Sequence, residues 1–145
     1  MTDTKSGFSA DERAAMKQRA EELKAMKGVK GAAKKAKAYE ACLAAIDSLS
    51  GTDRAIAERL HIIVQEEAPH LDAKTWYGFP TYENDGKNIV FFQPASKFGT
   101  RYGSVAFEEH AGLDDGDMWP VAFAVTAMTA EVEQRIRELV RNSVA

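Results

Sequence analysis

WYGFPTYENDGKNIVFF, residues 76–92, holds one of the two tryptophans, two of the four tyrosines and three of the seven phenylalanines in a chain of 145 residues. Within it, Asp85-Gly86 separates two runs of strand-favouring residues. Asp-Gly accepts the positive φ angles of a two-residue turn. The spacing therefore predicts a β-hairpin, with Tyr82 and Glu83 leading in and Lys87 to Phe92 leading out. On the outgoing strand Ile89 and Phe91 face one way, Val90 and Phe92 the other. A strand apolar on both faces is predicted to lie in the middle of a sheet. Gly78 and Pro80 flank Phe79, which predicts a sharp bend where the chain enters that sheet.

Upstream, Ser9-Ala10-Asp11-Glu12 has the form of a capping box and predicts a helix to about Met26, ended by Gly28 and Gly31. Its apolar content (Phe8, Ala15, Met16, Leu23, Met26) is thin, as expected of a surface helix or of one that reaches a partner subunit. A second helix is predicted over 32–49, with Tyr39, Leu43, Ile46 and Leu49 close to one face and Cys42 beside them. A third is predicted over 53–68, after a Ser50-Gly51-Thr52-Asp53 break and cap, with Ile56, Leu60, Ile63 and Val64 as its core stripe. His61 falls at the edge of that stripe, as a satisfied, partly buried side chain. Pro69 stops the helix and His70 sits in a turn.

Downstream, residues 94–100 read as a loop and 102–107 as a third strand. Met118-Trp119-Pro120 is expected to re-enter the core, and Val121, Phe123 and Val125 alternate as a fourth strand. Thr129 caps a last helix over 130–142, with Glu131 and Glu133 suited to its N-terminal dipole. The expected fold is α+β: one domain over 1–145 built on a central antiparallel sheet of about four to five strands. The third and last helices cover the sheet, and residues 1–50 form a flanking helical extension to a core over 51–145.

With 45% hydrophobic and 28% charged residues the chain falls in the ordinary globular class. A single cysteine excludes an internal disulfide and any multi-cysteine zinc site. The N-terminal MTDTKSGFSADER has no apolar core, and no apolar run is long enough to span a membrane, so a cytoplasmic protein is expected. The formal charge of −3 divides unevenly, with base in excess over residues 1–50 and acid in excess over the rest. Six lysines and no acid lie between Lys24 and Lys37. No aromatic or arginine is interleaved for stacking or base contact, so the run reads as a solvated face and argues against a nucleic-acid partner. There is no phosphate loop, dinucleotide fingerprint, nucleophile elbow or paired-histidine metal motif. Cys42 reads as a small buried apolar residue, with no histidine beside it in sequence. A non-enzymatic accessory domain is expected.

Two stretches carry candidate chemistry. Residues 108–117 read EEHAGLDDGD, five carboxylates and one histidine. Glu108, Glu109, His110, Asp114, Asp115 and Asp117 offer hard oxygens with an imidazole, which suits iron(II), manganese or calcium. The calcium-loop spacing of an EF-hand is not met, and Asp114-Asp115 read more simply as a turn around Gly116 that hydrogen-bonds backbone amides. The other candidate is an aromatic groove in which Trp76, Tyr77, Tyr82 and Tyr102, with Phe92 and Trp119, meet Lys97 and Arg101. Amphipathic rings beside two cations suit a small anionic ligand.

Trp76-Tyr77-Gly78-Phe79-Pro80-Thr81-Tyr82, Gly86-Lys87, Phe91-Phe92, Lys97-Phe98, Arg101-Tyr102 and the 113–120 run LDDGDMWP together resemble the YdhG-like family of small bacterial domains of unknown function. The resemblance spans roughly Ser9 to the C-terminus and is clearest over 76–123. Phe79 stands where the family more often has methionine, a volume-tolerant exchange. The resemblance implies an α+β fold. One branch bears the label of a frataxin-like iron chaperone that supplies iron–sulfur cluster assembly, which implies weakly bound iron as cargo, iron–sulfur assembly proteins as partners, and no catalytic motif. Pairing of two chains through the N-terminal helices is a further expectation.

Overall fold

A computed structural model describes residues 8–28 and 30–145. The elements run α1 (Ala10–Met26), α2 (Gly31–Asp47), α3 (Gly51–Glu67), β1 (Asp72–Trp76), β2 (Phe79–Asn84), β3 (Lys87–Gln93), α4 (Ala95–Phe98), β4 (Gly103–Phe107), β5 (Ala122–Val125) and α5 (Ala130–Ser143). The strands form one antiparallel sheet in chain order, β1-β2-β3-β4-β5, so the doubly apolar β3 is the central strand. Asp85 and Gly86 have φ angles of 51° and 80°, as the two-residue hairpin requires. Tyr77 and Gly78 repeat that geometry at 55° and 80°, making a second tight hairpin between β1 and β2. The bend expected around Phe79 is thus a full chain reversal, and β1 is a strand that the polar DAKTW sequence did not signal.

Residues alternate between two different environments across the sheet. Tyr82, Val90, Phe92, Val105 and Phe107 join Ile56, Leu60, Ile63 and Val64 of α3 and Ile136 and Val140 of α5 in the main core. Cys42 and Ile46 carry α2 into the same cluster, and α2 packs on β1 and β2. A boundary at residue 50 therefore does not separate an extension from a core. On the opposite face Phe79 stacks against Phe91 at 6.1 Å and meets Phe98 of α4 edge-on at 6.0 Å. No residue of α1 is buried, and Met16 and Leu23 are about half exposed. Its anchor is Glu22, whose carboxylate accepts the Tyr77 and Gly78 backbone N–H groups at 3.0 and 2.7 Å. Met118 does not re-enter the core as expected: it is 89% exposed, and Trp119 is only half-buried.

Two details of the helices differ from expectation in an informative way. Asp53 does not cap its own helix. Its carboxylate accepts the Ala95 and Ser96 N–H groups at 3.0 and 3.1 Å and so starts α4 where a plain loop was expected. Glu133 does more than face a helix dipole. It takes a bidentate pair from Arg59 at 2.9 and 2.8 Å and a further bond from Arg137, which also meets Glu66 and Glu67. The Arg59 hydrogen bonds hold the Glu133 carboxyl down at about 2 against an ordinary 4.5, and Arg141 and Arg137 lower Glu67 in the same sense. A depressed carboxyl contributes stability that is present above its unfolded pKa and is lost as pH falls through the folded one. Denaturant unfolding between pH 7 and pH 2 is therefore expected to show a plateau above about 5 and a decline from about 4.5 towards 2. Glu133→Gln should flatten that decline at a cost on the order of 1 kcal/mol at neutral pH, because water reaches the network and screens it.

Candidate functional site

A cavity of about 460 Å³ lies between α2, α3 and the start of the sheet. Helical spacing brings its walls together. His61, Val64 and Gln65 stand at i, i+3 and i+4 on one side of α3, and Lys35, Ala36 and Tyr39 on one side of α2. Ala73 and Tyr82 are direct cross-strand partners on β1 and β2 and close the floor. Two alanines, Ala36 and Ala73, line the space where larger side chains would fill it. Lys35 and Asp72 form an ion pair at 3.3 Å, and their exposed side chains set it at the rim.

Polar groups inside the cavity are few and converge. Tyr82 is 1% exposed, and its hydroxyl lies 2.9 Å from His61 Nδ1 and 4.0 Å from Cys42 Sγ. The Tyr39 ring stands 5.7 Å from the His61 ring, and its hydroxyl accepts from Gln65 Nε2 at 3.2 Å. Nε2 of His61 has no hydrogen-bond partner, although the residue is only 8% exposed. Buried polar atoms are nearly always paired, so Nε2, itself shut off from the cavity space, is an unsatisfied atom behind the His61 ring. His61 is thus only half satisfied, where full satisfaction was expected. Burial lowers its pKa, so the ring is neutral near pH 7. Burial also pushes the Cys42 thiol up to about 11, against smaller opposing contributions from its Tyr82 and Thr81 hydrogen bonds, and raises Tyr82 well above the ordinary phenol value. Cys42, fully buried, therefore stays a protonated thiol and lacks the thiolate a nucleophile needs.

The aromatic groove expected from sequence does not assemble, because period-two alternation sends its members to opposite faces of the sheet. Tyr82 and Phe92 enter the main core. Trp76 packs edge-on against Tyr77 and Phe91 at 5.0 and 5.3 Å on the other face. Lys97 reaches the Tyr77-Gly78 turn, where its Nζ would sit 3.0 Å from a Cβ added at Gly78. Arg101 lies 5.2 Å over the exposed Tyr102 ring. Of the six ligand-binding candidates only Tyr82 lines the cavity described above, and only Trp76 lines a second, more open cleft of about 440 Å³.

That second cleft receives part of the acidic run. Glu108, Glu109 and His110 line it, together with Arg19, Lys74 and Lys87. Asp114, Asp115 and Asp117 are not among its lining residues and lie exposed around the Gly116 turn, whose φ is 69°. Among the described residues, no three His, Cys, Asp or Glu side chains are placed to hold one metal ion. The six metal-ligand candidates are thus divided. The chain folds 108–110 back towards the β2–β3 turn and leaves the aspartates outside.

Sequence reasoning passed over the cavity because its polar members are scattered. Tyr39, His61 and Tyr82 come from three elements, and each alone looks like an ordinary core-edge residue. The usable signal was that both helices place an amphipathic ring at the margin of an apolar stripe. No helix among the described residues is long and apolar enough to cross a membrane. Compared with known proteins, the chain matches no protein-family model, no curated protein and no solved structure.

Proposed function

We propose that this is a non-enzymatic small-molecule-binding domain whose ligand occupies the cavity between α2, α3 and β1. The observation that carries the reading is the space of about 460 Å³ itself, walled by Val64, Leu71 and Ala73 and bordered by the rings of Tyr39, His61 and Tyr82. Mostly apolar walls, a few convergent polar atoms and a volume between about 300 and 1,000 Å³ are the usual attributes of a small-molecule site. The inert thiol and the scattered carboxylates favour binding over catalysis. Lys97 and Arg101, the anion anchors expected from sequence, do not line this cavity. A cytoplasmic setting fits this reading.

Iron handling, as the YdhG-like resemblance implies, is the second reading. Glu108, Glu109 and His110 sharing one cleft supports it. Arg19, Lys74 and Lys87 border the same cleft and repel a metal dication, which places it second. The first reading is tested by amide chemical-shift mapping with a mixed fragment library. Saturable shifts at Ala36, Tyr39, Gln65 and Ala73 are expected. Shifts confined to Trp76 and Glu108–His110, or none anywhere, would overturn it.

A further inference from the structure

We infer that β5 is a docking edge for a second copy of this chain, paired antiparallel with β5 of its mate about a two-fold axis at Phe123. This surface is separate from the cavity, and the direction of the β5 backbone identifies it. The Phe107 N–H donates to the carbonyl of Val121, directly opposite, at 2.7 Å. In an antiparallel pair bonded positions alternate with unbonded ones, so Val105 with Phe123 and Gly103 with Val125 complete the ladder to β4. The N–H and C=O groups of Ala122 and Ala124 therefore point outwards from the last strand of the sheet. Both residues are exposed, and among the described residues nothing bonds to those outward groups.

Charge does not protect this edge as it does the other. Residues 118–130 are the longest run of the chain without a charged side chain. At the opposite edge β1 holds Asp72 and Lys74, paired with Lys35 and Glu83, and α2 packs against it. A second copy fits β5 because the strand is complementary to itself. Setting Ala122 opposite the partner's Ala124 exchanges both backbone bonds there, and symmetry repeats the exchange at Ala124. The same register brings Phe123 against the partner's Phe123 and Val121 beside the partner's Val125. These side chains lie on the core side, where Phe123 meets Phe107 at 6.2 Å yet is only half-buried, and Val121 is 42% exposed. Pairing extends the core across the axis, and within the strip no charge of one −3 chain meets a like charge of the other. Pro120, at the next outward position, lacks an N–H and ends the ladder. Each copy uses its free edge on the other, so the assembly closes as a dimer, and its small contact makes it a reversible one.

Sedimentation equilibrium of the intact chain over about a hundredfold range of concentration, with amide exchange measured at both ends of it, tests this pairing. A monomer–dimer equilibrium is expected, with exchange at Ala122 and Ala124 slowed only in the concentrated sample. Ala124→Pro removes an outward N–H that β4 does not use, so the fold should be kept while association weakens about tenfold or more. Ala122→Lys alters only an exposed side chain and should weaken association as well, which keeps the test open if the proline variant misfolds. A dimer that neither variant weakens would overturn the inference. Its loss in Met16→Glu with Leu23→Glu, both exposed on α1, would put the interface on that helix instead. A monomer at every concentration would also overturn it. If a short valine–threonine peptide then slowed exchange at Ala122 and Ala124, the edge would serve a foreign strand and not a second copy.

Discussion

Replacing Phe92 with alanine is expected to lower the unfolding free energy by about 3–5 kcal/mol, the range for deleting a buried aromatic ring. Phe92 is completely buried on the central strand and pairs across the sheet with Val105. The backbone is shaped around its ring. A Cβ added at Gly103 would fall 2.7 Å from Phe92 Cε1 and 3.0 Å from Cζ. Gly103→Ala alone should therefore cost about 1–3 kcal/mol by overpacking. In the double variant Phe92→Leu with Gly103→Ala the two costs should not add, because the smaller side chain vacates the space that the new methyl needs. Urea denaturation of the wild type, the two single variants and the double variant measures that coupling. Strict additivity would mean that Gly103 is there for another reason.

Tyr82→Phe is expected to cost about 1–3 kcal/mol, more than the loss of one hydroxyl contact at a surface would. The hydroxyl is the partner of His61 Nδ1, and Nε2 has none, so the variant leaves a buried imidazole with no hydrogen bond at all. The ring of phenylalanine fills the same volume, which separates this penalty from a packing loss. The variant should also release the tautomer of His61, seen as exchange between Nδ1- and Nε2-protonated forms in the ring nitrogen spectrum. A variant as stable as the wild type, with a single His61 tautomer, would show that the Tyr82 hydroxyl is not what holds the His61 ring.

The 76–92 stretch disclosed most of the architecture because its signals are local. Asp85-Gly86 needs only its own backbone preference to make a turn, and β3 needs only its alternation to claim the centre of the sheet. Strand β1 was not legible. Its polar sequence owes its place to the Tyr77-Gly78 turn, and tyrosine at a positive φ is a conformation that composition does not announce. The role of Glu22 was hidden for a similar reason, since its partners lie 55 and 56 residues away in sequence. Candidate site residues fared worst where they were chosen by chemical type within a stretch. Trp76 and Tyr82 are close in sequence and lie on opposite faces of one sheet, while Tyr39, His61 and Tyr82 are far apart in sequence and meet around one cavity. Strand alternation accounts for the first outcome and the packing of α2 and α3 for the second.

The most direct measurement is a titration of the mixed fragment library into the wild type beside Ala36→Phe, followed by the amide shifts of Gln65 and Leu71–Ala73. Ala36 lies on the exposed side of α2 and lines the cavity, so a phenyl group there blocks the space without entering the core. Saturable shifts in the wild type and at least about tenfold weaker binding in the variant are the result expected if the cavity is the site. Equal binding to both proteins, or none to the wild type, would contradict it.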